Sequence, residues 1–251
     1  WKESTNYTNK FVTVIGSGAT AVTLVPELAK KARKVVMLQR SPTYLIARPS
    51  EDWFANLMRG VFSSRLAYAI TRFRNILFQE YIYKKSRRHP TKLKNKLLRE
   101  VRKEVGDSIN VDQHLTPKYN PWDQRLCLIP DGNLYDVLKN KKAEIVTDEI
   151  IEFNEFGIRL KSGRQLDSDI IITATGLNLQ TMGGATIKID SEEVDLSKCW
   201  TYKGIMISDI PNMVSTFGYI NASWTLRADL ISEWVCKLIN FMDQERSKSV
   251  T

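Results

Sequence analysis

Histidine and cysteine are scarce in this sequence: 251 residues contain two histidines, His89 and His114, and three cysteines, Cys127, Cys199 and Cys236. Neither histidine stands near a serine or carboxylate motif, which sets aside a histidine-based hydrolase and leaves no metal site to expect. The cysteines are odd in number, widely spaced and without a Cys-x-x-Cys pair. That argues against a disulfide framework or structural zinc and fits a reducing, cytoplasmic compartment. Long apolar runs are also missing. Stretches such as residues 12–15 and 170–172 are strand-sized, far short of the ~18 residues a spanning helix needs. The first residues, Trp1-Lys2-Glu3-Ser4, lack an initiator methionine and the zones of a signal peptide, so they read as the cut end of a longer chain.

What is present is ordinary for a soluble globular protein: 43% hydrophobic and 26% charged residues. The length suits one large domain or two modest ones. A net charge of +9 admits nucleic acid, an anionic membrane or a polyanionic cofactor as partner, and its distribution matters more than its sum. Much of the excess falls in a helical stretch, with Lys84, Lys85, Arg87 and Arg88 close together and Lys92, Lys94, Lys96, Arg99, Arg102 and Lys103 behind them.

Phe11-Val12-Thr13-Val14-Ile15 predicts a buried parallel strand ending at Gly16-Ser17-Gly18. A helix is expected next, on Ala21, Val22, Leu24, Val25, Leu28 and Ala29, with Pro26 predicting a kink or early break. Val35-Val36-Met37-Leu38 then gives a second buried strand, completing a βαβ unit. Residues 51–105 read as helical, interrupted at His89-Pro90. The turn-rich stretch around Pro117, Asn120 and Pro121 leads into Gln124-Arg125 and the apolar residues 126–129, and a short helix at 134–138 precedes Glu144-Ile145-Val146. After a hairpin-like stretch, Asp169-Ile170-Ile171-Ile172-Thr173-Ala174-Thr175 predicts a buried strand that stops at Gly176. Beyond it come short strands and turns and one strong helix, with Asn221 or Ser223 as N-cap candidate and Leu226, Leu230, Ile231, Trp234, Val235, Leu238 and Ile239 on a face expected to be core.

Gly16-Ser17-Gly18-Ala19-Thr20-Ala21 is a G-x-G-x-x-A motif placed between a buried strand and a helix. Gly16 permits the tight turn, Gly18 lets the backbone approach a pyrophosphate, and Ala21 allows close packing of helix on strand. The helix N-terminus offers free N–H groups to the anion. An NAD site usually carries a carboxylate at the end of the second strand, but here Gln39-Arg40-Ser41 stands there. Arg40 can pair with a 2′-phosphate through two N–H groups, and Ser41 or Thr43 can donate another hydrogen bond, so NADP is the expected dinucleotide.

These residues resemble the flavin-containing monooxygenases of the Baeyer–Villiger type, in particular their ethionamide-activating group. The stretches that carry the likeness are Val14 through Ala21, Gln39-Arg40-Ser41-Pro42, Pro121-Trp122-Asp123-Gln124-Arg125-Leu126, Ile172-Thr173-Ala174-Thr175-Gly176-Leu177-Asn178 and Gly218-Tyr219-Ile220-Asn221-Ala222-Ser223-Trp224. The resemblance implies an α/β fold: a Rossmann-like NADP-binding domain over residues 1–176 with a helical insertion at about 50–117, and the C-terminal portion of an FAD-binding domain over 177–251, from a flavoprotein with two dinucleotide-binding domains. It implies NADP(H) and FAD as cofactors, O2 and a small ketone, thio or amine compound as substrates, and oxygen insertion through a C4a-peroxyflavin. Arg125 matches the family's active-site arginine, and its guanidinium would be a fixed cation beside that anion. Gln124 stands where some relatives have lysine. Thr175 and Gly176 match the crossing between the two domains. Asn221, Ser223 and Trp224 match the start of a helix whose positive end could face the flavin's pyrimidine edge. Trp1 matches the last residue of a family fingerprint. No second glycine turn leading into a helix follows Gly18, so the chain by itself is expected to bind NADP weakly at most and not to turn over.

Two other readings compete. A flavin-free NADP-dependent reductase would need a proton donor such as Tyr81 with Lys85 one turn on. A membrane- or partner-binding module would use the basic helices from Arg72 to Lys103, where Phe78, Tyr81 and Tyr83 are interleaved. Peripheral membrane association is the more plausible as an added property. No nucleic-acid partner is expected, and no residue pattern fixes an oligomeric state.

Overall fold

The computed structural model describes residues 4–219 and 223–247. The chain divides into two compact units, Trp1–Gly176 and Leu177–Thr251.

In the first unit, β1 (Phe11–Ile15) is followed by helix α1 (Ala19–Leu28) and β2 (Lys34–Gln39). Pro26 is tolerated in the last turn of α1, which stops two residues later, in line with the early break its ring dictates. Next comes β3 (Tyr44–Arg48), a strand not expected from the sequence, whose Tyr-Leu-Ile-Ala run is short and bracketed by prolines. The helical segment consists of α2 (Trp53–Val61), α3 (Ser64–Arg88), α4 (Pro90–Val105) and α5 (Val111–His114). Asp52 caps α2 by accepting from the amides of Phe54 and Ala55. Pro90 opens α4, where its missing N–H leaves nothing unsatisfied.

Strand β4 (Leu126–Pro130) pairs in parallel with β3. Helix α6 (Asn133–Lys139) leads to β5 (Ala143–Thr147). An antiparallel meander, β6 (Ile150–Asn154), β7 (Gly157–Leu160) and β8 (Gln165–Asp167), precedes β9 (Ile170–Thr173). The main sheet has the order β5-β2-β1-β9, all parallel.

Side chains alternate between the two faces of this sheet. Val12, Val14, Val35 and Met37 face a core shared with Val22, Val25 and Leu28 of α1 and Leu134 and Leu138 of α6. Val36 and Leu38 point the other way, against Ile158, Leu160 and Leu166 of the meander. Burial of each such side chain contributes about 1.5–3 kcal/mol, which makes β2, enclosed on both faces, the anchor of the unit. Strand β9 departs from the expectation of full burial: Ile170, Ile171 and Ile172 are half-exposed and Thr173 is exposed, because β9 is the edge of the sheet and pairs on one side only.

The second unit has two short antiparallel pairs, Lys188–Ile189 with Glu192–Glu193 and Thr201–Tyr202 with Met206–Ile207, then the helix α7 (Trp224–Gln244). Its apolar face was expected to be core, yet among the described residues of α7 Ile231 alone is buried. Tyr202 and Trp234 meet at 6.1 Å, with the Lys203 ammonium over both rings. Gly183 and Gly184 end a 3-10 turn that runs into a strand rather than a helix. Among the described residues no helix is long and apolar enough to cross a membrane.

Candidate functional site

The order β5-β2-β1-β9 means that the chain leaves β1 toward β2 on one side and returns as β9 on the other. In parallel sheets ligands lie outside the strand C-termini at such a reversal. The glycine motif stands there. Gly16 donates its N–H to the Leu38 carbonyl at 2.8 Å, and Ala174 donates to the Ile15 carbonyl at 2.7 Å, so the turn is clamped between β2 and the residue after β9. Gly16 has φ +134°, and a Cβ there would lie 2.3 Å from the Ala174 carbonyl oxygen; the fold itself requires this glycine. Gly18 differs. Its φ of −80° suits any residue, and a Cβ would meet no described atom within 4 Å. Nothing in the unit's own packing calls for a glycine at 18, and the open space beside it is what a close approach by an outside group needs.

Ala21 is fully buried where α1 crosses β1, while Ala19 and Thr20 are exposed in the first turn. Helix α1 starts without a side-chain cap and without an acidic residue in its first turn, leaving its positive end free for an anion. Ser17 donates its hydroxyl to the Ser41 carbonyl at 3.3 Å, tying the glycine turn to the loop after β2.

At the end of β2 the buried Gln39 is committed to structure: its amide donates to the His114 carbonyl at 2.7 Å and to Thr147 Oγ1 at 2.8 Å. His114 Nδ1 also meets Thr147 Oγ1 at 2.8 Å, and burial depresses the imidazole pKa below its ordinary value. Arg40, next in the chain, is exposed and makes no ion pair among the described residues. Ser41 is likewise exposed. Thr43 is not available to a phosphate, contrary to the expectation from sequence, because its hydroxyl is shared between the Tyr119 hydroxyl at 2.8 Å and the Arg125 carbonyl at 3.3 Å.

Those bonds belong to a second cluster that the sequence did not disclose. The Arg125 carbonyl also accepts from the Tyr119 hydroxyl at 3.2 Å, and Tyr44 donates to the Tyr119 carbonyl at 2.7 Å with the two rings edge-to-face at 5.3 Å. Burial, then the neighbouring Tyr119 and Asp123, push the Tyr44 phenol up to about 12. Trp122 sits at φ +70° in this loop. Asp123 pairs with Arg87 of α3 at 2.6 Å, so it is not the partner of Arg125. The Arg125 guanidinium is therefore exposed, with its backbone held from two sides and no ion pair among the described residues. The aromatic content of the loop was the one available signal; Tyr44, half a chain segment away, gave none.

Thr175 and Gly176 follow Ala174 and are exposed. In the second unit Ser223 is the N-cap residue of α7, but its hydroxyl meets Thr225 Oγ1 at 2.6 Å rather than a helix amide. Trp224 packs on Phe217 at 4.9 Å. Asn221 and Trp1 lie outside the described residues. Tyr81 and Lys85 do approach, at 3.3 Å, but on the exposed surface of α3.

A parallel sheet with a glycine turn at its switch point, and an arginine that makes no ion pair among the described residues, defines an α/β protein of the doubly wound class. Comparison with known proteins narrows this. The chain is 50% identical over 244 residues to the FAD-containing monooxygenase EthA of Mycobacterium tuberculosis, covering 97% of this chain and 50% of that protein. It is 47% identical over 246 residues to the probable FAD-binding monooxygenase AlmA of Acinetobacter baylyi, covering 98% and 49%. The chain is similar to these FAD-containing monooxygenases, and it spans about half the length of these relatives. Among solved structures it shares its fold with OTEMO in complex with FAD and NADP (TM-score 0.74, 22% identity, 97% of this chain and 53% of that one). The oxidized steroid monooxygenase bound to NADP is similar too (TM-score 0.70, 21% identity, 98% and 56%). No family model matches the chain.

Proposed function

We propose that this chain supplies the NADP-binding domain, residues 1–176, and the C-terminal portion of the FAD-binding domain, residues 177–251, of an NADPH- and FAD-dependent monooxygenase. The intact enzyme inserts one oxygen of O2 into ketones or oxidises soft nitrogen or sulfur centres. The observation that carries this reading is the conjunction of an open glycine turn with a free arginine at the end of the next strand.

Gly16 through Ala21 would hold the pyrophosphate with the first amides of α1. Arg40 would take the 2′-phosphate in its two-pronged guanidinium, with the Ser41 hydroxyl beside it; a carboxylate in that place would repel the same group. The names of the relatives and the bound cofactors of the structural neighbours support FAD as the second group. When bound, the flavin supplies oxygen activation and the protein supplies position and charge. Arg125 is the residue for that charge. Its guanidinium is exposed, and the tether of its carbonyl to Tyr119 and Thr43 fixes where the side chain starts. Thr175, Gly176, Asn221, Ser223 and Trp224 serve the cofactors of the intact protein in the same reading.

Peripheral membrane association is a second part of the proposal, favoured by the charge of the helical segment: residues 53–88 hold eight lysines and arginines against the single Glu80.

Arg125→Ala in the intact enzyme tests the assignment. Flavin reduction by NADPH is expected to persist while oxygenated product falls by about 10²-fold or more. Unchanged product formation would remove Arg125 from the chemistry, and NADPH oxidation by flavin-free protein would return the reductase reading.

A further inference from the structure

We propose that α2 and α3 form an interfacial face that lies on an anionic phospholipid surface, and that the equally basic α4 takes no part in it. This rests on the peripheral association proposed above and assigns it a face and a lipid charge.

Helix α2 buries none of its residues. Trp53, Leu57 and Val61, one turn apart, line one stripe, with Trp53 72% exposed. Helix α3 is 25 residues long, about 37 Å at the α-helical rise, yet buries only Ala67 and Ser86. Phe73, Leu77 and Tyr81 recur along it at the same spacing, with Phe73 65% exposed. The two helices are carried as one unit, since Arg74 of α3 pairs with Asp52 at 3.1 Å and lies over the Phe54 ring at 4.5 Å. Arg87 anchors the far end of α3 to Asp123.

Chemistry selects the occupant. Residues 53–88 carry most of the chain's net charge of +9, and their cations alternate with the exposed aromatic and aliphatic side chains. A protein interface depletes charge at its apolar centre. A headgroup layer suits the mixture: rings and aliphatic chains enter the acyl boundary while lysine and arginine stems reach back to phosphate. Helix α4 has a comparable density of cations, but Leu93, Leu97, Leu98, Val101 and Val105 are all buried, so its apolar face is already occupied and its charged face is left to water.

The test is flotation of the intact protein with vesicles of phosphatidylcholine alone or mixed with phosphatidylglycerol. Wild-type protein should float at least tenfold better with the anionic vesicles. Leu57→Asp with Phe73→Asp should abolish that advantage, while Lys92→Glu with Lys96→Glu on α4 keeps it within twofold. The tryptophan emission that disappears in Trp53→Phe should be quenched by brominated anionic lipid. Absence of flotation on either vesicle overturns the association itself. Flotation that survives the α2–α3 pair, or is lost in the α4 pair, leaves association standing and overturns the assigned face. Trp53 shielded from both bromolipid and acrylamide would show that another part of the protein covers the stripe, which also overturns it.

Discussion

Helices α1 and α7 are both amphipathic in sequence, and the structure treats them differently. The ten residues of α1 bury Ala21, Val22, Val25, Pro26 and Leu28 against β1 and β2, whereas the twenty-one residues of α7 bury Ile231 alone. The same contrast separates the two units. Most of the buried apolar side chains belong to residues 1–176, and beyond Gly176 the described ones are Ile205, Ile210 and Ile231. A periodic apolar stripe specifies a helix and the face it would bury, but not what buries it. The first unit contains its own answer in a sheet covered on both sides; the second does not.

The largest effect expected from this contrast is on stability. Ile129→Ala, in the fully enclosed core, should lower the unfolding free energy by about 2–5 kcal/mol. Leu230→Ala on α7, where the side chain is 47% exposed, should stay within about 0.5 kcal/mol. Denaturant titration reads both, and comparable losses would erase the distinction.

The glycine turn sharpens the comparison on a smaller scale. Gly16→Ala forces a Cβ onto the Ala174 carbonyl at positive φ and should destabilise the unit by about 1–3 kcal/mol while removing NADP binding. Gly18→Ala meets open space, so the melting temperature should hold while NADP affinity drops roughly tenfold, ~1.4 kcal/mol. Calorimetry separates the two glycines; a Gly18 variant that binds normally would reduce that position to packing.

The smallest expected effect is a pH dependence at His114. Burial depresses its folded-state pKa, so the unfolded chain binds the proton more readily. Stability from this residue is fully present above the unfolded value and declines as pH falls through it toward the folded one. His114→Gln should flatten that part of the stability profile, and an unaltered profile would show that the imidazole contributes nothing.

How much of this was legible in the sequence depends on distance along the chain. The βαβ unit, the break at His89-Pro90 and the glycine turn are local patterns, since each rests on residues within one turn or strand of each other. Strand β3 escaped because parallel pairing with β4 joins Tyr44 to Leu126 across a helical segment that no local pattern encodes. The half-exposure of β9 is a property of sheet order, not of Ile-Ile-Ile. At the site, Arg40 and Gly18 could be named from type and spacing alone. The commitment of Thr43 to Arg125 and Tyr119, and of Asp123 to Arg87, required the fold.

The most direct test of the account is the dinucleotide preference of the intact protein and its Arg40→Ala variant, measured by titration calorimetry with NADP and NAD. Wild-type protein should prefer NADP, and the variant should lose about 1.5–3 kcal/mol of NADP affinity, the range for hydrogen bonds to a charged group, with NAD binding unchanged. An Arg40→Ala variant that keeps its preference for NADP would contradict the assignment of the phosphate site to the end of β2.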